Sequence, residues 1–117
     1  MPYSIVGKNA MLDALGVLAV FVSLHSADPG ESGTNEISGG SPAYIRKAIT
    51  WNAADAGSKD DSNVPVFDVP GSTTVLYVGF WSAESGGTFY GAALVTQEDF
   101  GGQGTYTLTD ADLDLNA

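Results

Sequence analysis

The sequence predicts a mainly β fold, a β-sandwich or jelly-roll-like single domain over residues 1–117 with one short N-terminal helix. Apolar and polar residues alternate over several short runs, which is the period of a half-buried strand. The 15 glycines and 5 prolines supply turns between these runs. A length of 117 residues suits one domain, and no segment repeats at the period of a solenoid or a propeller.

Residues 9–15 carry the helical pattern of the chain. Met11, Leu12 and Leu15 lie on one side of a helix with a 3.6-residue period. Asn9 is a suitable N-cap and Gly16 a suitable terminator. Because a helix this short is marginal in isolation, we expect it to pack on the sheet.

Residues 18–25 predict the first strand, which a turn sequence ends. The residues expected to face the core are Leu18, Val20, Val22 and Leu24. The opposite face is mixed in character. In the turn, Asp28 can accept a hydrogen bond from the backbone ahead of it, and Gly30 can adopt a positive φ.

The rest of the chain reads as further strands joined by loops. Strands are expected at residues 43–51, 64–69, 74–81, 88–95, 105–108 and 111–115. One face of the second strand carries Ile45, Ile49 and Trp51, and the other carries Arg46 and Thr50. The polar segments 28–42 and 53–63 are expected to be long exposed loops, since neither shows a strand or helix period.

The 74–81 strand is apolar on both faces. One face carries Val75, Tyr77 and Trp81, and the other carries Leu76, Val78 and Phe80. Such a strand is central, and a second sheet or a neighbouring subunit is expected to cover it. Tyr77, Phe80 and Trp81 are therefore the candidate interface residues, and stacking of sugars on these rings is the alternative.

Charge and composition exclude several classes of partner. Fourteen acidic and four basic residues give a net charge of −10, which repels nucleic acid. The absence of cysteine excludes disulfides and thiolate metal sites. The apolar run from Met11 to Leu24 is too short to span a bilayer, and Asp13 and His25 argue against an export signal there. We expect no nucleic-acid partner and no membrane partner.

The single histidine, His25, does not predict catalysis. No nucleophile-elbow sequence accompanies it, so a structural hydrogen bond at the end of a strand is the favoured role. No phosphate-binding loop is present either. The chain is expected not to be an enzyme and to need no cofactor.

The C-terminal aspartates are the most acidic local pattern. Asp110, Asp112 and Asp114 alternate as in a calcium loop, but Leu115 occupies the position where such a loop needs glycine. We expect these carboxylates to face solvent on a last strand whose inward residues include Ala111 and Leu113. No metal site is predicted.

Several motifs resemble a family of small bacteriophage virion proteins. The motifs are Ser23-Leu24-His25-Ser26-Ala27-Asp28-Pro29-Gly30, Asn35-Glu36, Gly39-Gly40-Ser41-Pro42-Ala43-Tyr44 with Arg46, and the later block 78–87. Members of that family carry S-L-H-T-A-D-P-G, N-E and G-G-S-x-A-Y-x-R in the same order. They are known as tail fibre, minor tail or head decoration proteins.

The resemblance implies a non-enzymatic structural component on the exterior of a phage particle. It would dock on the capsid or the tail through other phage structural proteins. A homo-oligomer is expected, with a trimer as one arrangement for a head lattice. The alternative function is a carbohydrate- or receptor-binding tail module that contacts the host surface.

Overall fold

The computed structural model describes residues 3–109 and 111–114, and in this part of the chain it contains one helix and eight strands. The helix α1 spans Ile5–Leu18. The strands are β1 (Phe21–His25), β2 (Lys47–Ala48), β3 (Ser58–Asp60), β4 (Val66–Val69), β5 (Thr73–Trp81), β6 (Phe89–Phe100), β7 (Gly104–Thr107) and β8 (Asp112–Asp114). The predicted class, mainly β with one N-terminal helix, is confirmed.

Four strands form the main sheet, in the order β2–β1–β5–β6. Every pair is antiparallel, and β1 pairs with β5 from Phe21 opposite Trp81 to His25 opposite Tyr77. The other strands form two antiparallel ribbons, β3–β8 and β4–β7. Strands that follow each other in the sequence are therefore often not adjacent in a sheet. Strand β1, for example, pairs with β5 as well as with β2.

The hydrophobic core joins one face of the main sheet to α1 and the two ribbons. The sheet contributes Val22, Leu24, Val75, Val78 and Phe80, and the other elements contribute Leu12, Phe67, Val69 and Leu113. The ring of Phe67 lies 6.3 Å from that of Tyr44 and 6.5 Å from that of Tyr106. The predicted inward positions of Val22 and Leu24 are confirmed.

The helix is longer than the predicted segment 9–15. Ser4 is its N-cap, and the Ser4 hydroxyl accepts a hydrogen bond of 3.1 Å from a backbone N–H of the first turn. The predicted cap, Asn9, lies inside the helix. Gly16 lies inside the helix and does not end it, and its missing side chain leaves the space that the Lys59 side chain occupies. Leu18, predicted to be an inward strand residue, is the last helical residue and is half exposed.

Three other segments differ from the prediction. Within residues 43–51, only Lys47–Ala48 forms a strand. The predicted loop 53–63 contains β3, whose partner β8 lies at the other end of the chain. Strand β6 extends to residue 100, because β5 continues to pair with it beyond the predicted end. No helix within the described residues has the length and apolar character needed to cross a membrane.

Candidate functional site: a buried polar network and an exposed apolar helix

Residues 26–42 form a loop that covers the second face of the main sheet, and we call it the covering loop. The Asp28 carboxylate accepts a hydrogen bond of 2.9 Å from the Gly30 N–H, and Gly30 has φ +64°, as the turn sequence predicts. Gly33, at φ +77°, lies so close to the Trp81 ring that a Cβ would overlap it. The segment that was predicted to be an exposed loop therefore covers this face of the sheet. The sequence had predicted that a second sheet or a neighbouring subunit would cover it.

Beneath the covering loop, three polar side chains form a buried chain of hydrogen bonds. His25 Nδ1 lies 2.7 Å from the Thr34 carbonyl oxygen, so the ring donates there and its Nε2 is the acceptor. The Ser23 hydroxyl lies 2.6 Å from that Nε2 and accepts a 2.8 Å hydrogen bond from Trp81 Nε1–H. Gly79, opposite Ser23 in the sheet, leaves the space that this pair needs. Every polar atom of the three side chains is used.

Arg46 closes the network at the edge of the covering loop. Its Nε and Nη2 donate to both oxygens of Glu36, at 3.0 and 2.9 Å. Its Nη1 donates to the carbonyl oxygens of Ala83 and Gly86, at 3.1 and 2.8 Å. The guanidinium carbon also lies 3.6 Å from the Trp81 ring centroid, a cation–π distance. One side chain thus ties the covering loop to the turn between β5 and β6.

Tyr44 connects this ion pair to the first strand. Its hydroxyl donates to Glu36 at 2.8 Å and accepts from the Leu24 N–H at 2.9 Å. Burial raises the pKa of Tyr44 above its ordinary value, so the phenol keeps its proton and remains a donor. This contact also satisfies a backbone donor of β1 in the core.

The candidate interface and sugar-contacting residues lie in different environments. Phe80 is buried in the core. Trp81 is 8% exposed, between Arg46 on one side and Gly33 and Phe89 near its ring. Tyr77 is half-buried at the end of the β1–β5 pairing. Their role as interface or sugar contacts stays a prediction, with Tyr77 offering the most accessible ring of the three.

Sequence reasoning missed the central member of the network. Arg46 was assigned to the polar face of a strand, whereas it is 8% exposed and has a carboxylate partner. A signal was present, because Ser23, His25, Glu36, Tyr44 and Arg46 all belong to the motifs that carry the family resemblance. The structure brings these separated motifs together in one network. The motifs therefore mark contacts that hold the covering loop.

The Ser23 hydroxyl lies as close to the His25 ring as in a catalytic dyad, but neither side chain is accessible to a substrate. Both side chains are 0% exposed, and the hydroxyl is already committed to the ring and to Trp81. Among the described residues, no buried side-chain nitrogen or oxygen lacks a hydrogen-bond partner, and no acidic or histidine cluster could hold a metal. Asp112 is exposed, as expected, while Asp110 and Leu115 lie outside the described residues.

The free energy of unfolding should fall as the pH is lowered, because His25 titrates differently in the folded and unfolded chains. Burial lowers the pKa of His25, outweighing the hydrogen bond to Thr34 that raises it. The unfolded chain therefore binds a proton at a higher pH than the folded chain does, and the free energy of unfolding falls as the pH drops below about 6.5. Urea unfolding at a series of pH values measures this loss. His25→Gln should show a flatter profile in that window, and equal slopes in both proteins would contradict the assignment.

Helix α1 presents an apolar surface away from the domain. The exposed helical side chains on this surface, called here the outward face, are Val6, Ala10, Met11, Ala14, Val17 and Leu18. Val6 is 80% and Val17 77% exposed. Leu12 is the one fully buried residue of the helix. A surface helix normally turns its apolar side toward the core and a polar side toward solvent, so this exposed apolar side is unusual.

Polar contacts also fix α1 to the segment 54–59. Asn9 accepts a hydrogen bond of 2.9 Å from the Gly57 N–H. Asp13 accepts from the Ala54 N–H at 2.9 Å and from the Lys59 ammonium at 2.7 Å. The hydrogen bond from Lys59 is the main reason that the pKa of Asp13 lies below its ordinary value. Asn9 and Asp13 thus bind the segment 54–59 while Leu12 packs in the core, and the apolar residues of the outward face remain uncovered.

The fold places the chain in the class of small, mainly β domains with one N-terminal helix. The family described as Podophage GP4 fiber I protein gp80 matches residues 6–115, and the chain belongs to that family. A comparison with curated proteins found no match. The predicted phage virion protein is confirmed at this level, and the chain is a phage structural component. The finer grouping by the S-L-H-T-A-D-P-G motif stays a prediction.

Proposed function

We propose that this protein is a non-enzymatic part of a phage tail fibre and joins other virion proteins through the outward face of α1. The observation that carries the proposal is the apolar character of that face, with Val6 and Val17 almost fully exposed. Transfer of such side chains from water to an interface contributes about 25 cal/mol per Å² of apolar area. A domain that exposes them gains stability when a partner covers them.

The description of the family supports a fibre more than a head decoration protein, because its printed name is a fibre protein. The charge supports a position on the exterior. A net charge of −10 would be repelled by packaged nucleic acid. The absence of free polar groups in the Ser23–His25 network supports a structural role over catalysis.

Assembly into particles tests the proposal. We expect Val17→Asp to lower the amount of this protein in purified particles at least about tenfold, because a buried carboxylate in the interface costs more than 1.4 kcal/mol. Quantitative immunoblotting of particles measures the amount, and immunogold labelling locates it on the tail. Leu94→Asp is the matched control, since it places the same charge at a 67% exposed leucine of β6. Equal incorporation of both variants, or labelling on the head shell, would overturn the proposal.

A further inference from the structure

We infer that the virion protein that covers the outward face of α1 places the side-chain amide of an asparagine or glutamine in the groove beside this helix, on the Asp13–Lys59 ion pair. The inference rests on the proposed function, because it names the chemistry of the partner at the same surface. Three observations carry it: the position of the groove, the hydrogen-bonding groups that remain open in it, and the charge of the ion pair.

The groove lies between α1 and the segment that connects β2 to β3, and its volume is about 300 Å³. Apart from the ion pair, its larger side chains are apolar: Val17, Val20, Ile49 and Trp51. Val17 belongs to the outward face and is 77% exposed, so the groove is continuous with that face. A partner that covers the outward face therefore also passes over the groove.

The ion pair reaches the groove because α1 has no side chain at Gly16. The Lys59 Nζ lies 2.7 Å from the Asp13 Oδ1, and both residues line the groove. The side chain of Lys59 is 7% exposed and crosses the helix at Gly16, where a Cβ would overlap one of its methylene carbons. The structure thus brings a buried ammonium to an apolar groove, where a charge is costly unless it has partners.

The ion pair offers donors and an acceptor side by side. An ammonium has three N–H donors, and within the described residues that of Lys59 makes one hydrogen bond, to Asp13. Asp13 accepts from Lys59 and from the Ala54 N–H through the same atom, Oδ1. Its Oδ2, on a side chain that is 51% exposed, remains open as an acceptor. A partner that excludes water from the groove must supply groups that satisfy these positions.

The opposite charges of the pair favour a neutral group on the partner. A carboxylate could accept from Lys59, but it would lie beside the like charge of Asp13. A cationic side chain could donate to Asp13, but it would lie beside Lys59. A carboxamide has no net charge and carries an acceptor oxygen and an NH₂ donor on one carbon. Its oxygen can accept from Lys59 while its nitrogen donates to the Asp13 Oδ2.

The same geometry favours a side-chain amide over a backbone amide. In a trans peptide group, the C=O and the N–H point in opposite directions, so one such group cannot reach two adjacent atoms. In a primary amide, one N–H lies on the same side as the oxygen. Asparagine and glutamine are the side chains that carry this group. The adjacent valine and tryptophan side chains can pack against the methylene carbons of either residue.

The groove on the other flank of α1 is a weaker candidate for selective recognition. Its volume is about 170 Å³, and most of its lining is apolar, from Leu12, Leu15, Phe80, Tyr90 and Leu113. An apolar groove discriminates weakly among side chains of similar size. The groove with the ion pair is therefore the one that selects a particular chemistry.

Competition for places on the particle tests the inference. Epitope-tagged variants are expressed during infection beside the untagged wild-type chain, and quantitative immunoblotting of purified particles gives the tagged share. We expect Lys59→Met and Asp13→Asn each to lower this share at least about tenfold relative to the tagged wild type, because each removes a hydrogen bond to a charged group in a covered interface. Lys47→Met and Asp55→Asn make the same changes outside the groove and should leave the share unchanged.

Circular dichroism checks that the variants fold. Asp13→Asn keeps an oxygen that accepts from the Ala54 N–H, and Lys59→Met keeps an unbranched side chain to pack at Gly16, so we expect both to be folded. Thr50→Trp is a further variant that leaves the ion pair intact. It adds a large ring at an exposed position that lines the groove, and it should lower the share by filling the space of the partner's amide.

The direction of the two changes identifies the group on the partner. A lower share for Lys59→Met with an equal or higher share for Asp13→Asn would indicate a carboxylate, and the reverse would indicate a cation; either result overturns the amide. If neither variant lowers the share while Val17→Asp is still excluded from particles, the inference is wrong and the proposed docking surface stands. Equal incorporation of Val17→Asp and Leu94→Asp would overturn the proposed function and this inference together.

Discussion

Replacing Arg46 with alanine is expected to lower the free energy of unfolding by about 3 kcal/mol. The substitution leaves the Glu36 carboxylate without its bidentate partner and removes the donor to the carbonyl groups of Ala83 and Gly86. It also uncovers the ring of Trp81. Chemical denaturation with urea, followed by tryptophan fluorescence, measures the loss, and the same signal reports the change around Trp81.

The adjacent residue provides the control for Arg46→Ala. Lys47→Ala removes the same charge from a half-buried position in β2, and we expect a change within about 0.5 kcal/mol. Arg46→Lys should recover only part of the stability, because an ammonium cannot bind both Glu36 oxygens and both carbonyl groups in the same plane. A similar loss in Arg46→Ala and Lys47→Ala would show that net charge, rather than this network, determines the effect.

Replacing Phe67 with alanine is expected to cost about 4 kcal/mol of unfolding free energy and to lower Tm by roughly 15 °C. The ring is 0% exposed and packs between Tyr44 and Tyr106, so its removal leaves a cavity between the β4–β7 ribbon and Tyr44. Differential scanning calorimetry measures both quantities.

Val66→Ala is the matched control in the same strand. Its side chain is about half exposed, so the loss should stay below about 1 kcal/mol. Comparable losses at residues 66 and 67 would mean that β4 does not pack in the register described. The pair of variants therefore tests the orientation of the strand as well as the size of the core contact.

Local patterns were sufficient to predict the inward side of β1 and the turn that follows it. The alternation around Val22 and Leu24 predicts their inward side correctly, and the Asp28–Gly30 turn forms the expected hydrogen bond. These features depend on residues close in sequence, for which side-chain period and turn chemistry are direct physical constraints.

Contacts between distant segments could not be predicted in this way. Gly16 lies inside the helix, where it makes room for the Lys59 side chain, and Arg46 is buried beside Glu36 of the covering loop. In each case the partner lies far along the chain, so a local period assigns the residue to the wrong surface. The motifs of the family resemblance contain the network residues, but the motifs alone do not show that these residues contact one another.

The sequence by itself determined that this protein is mainly β with one N-terminal helix and has a net charge of −10, because period, turn residues and charge are properties of short stretches. Only the tertiary structure decided which apolar residues remain uncovered. Trp81 is covered by Arg46 and the loop at Gly33, while Val6 and Val17 face outward because Asn9 and Asp13 hold the other side of the helix. Exposure depends on how separated segments pack, and that packing leaves the apolar side chains of the helix exposed.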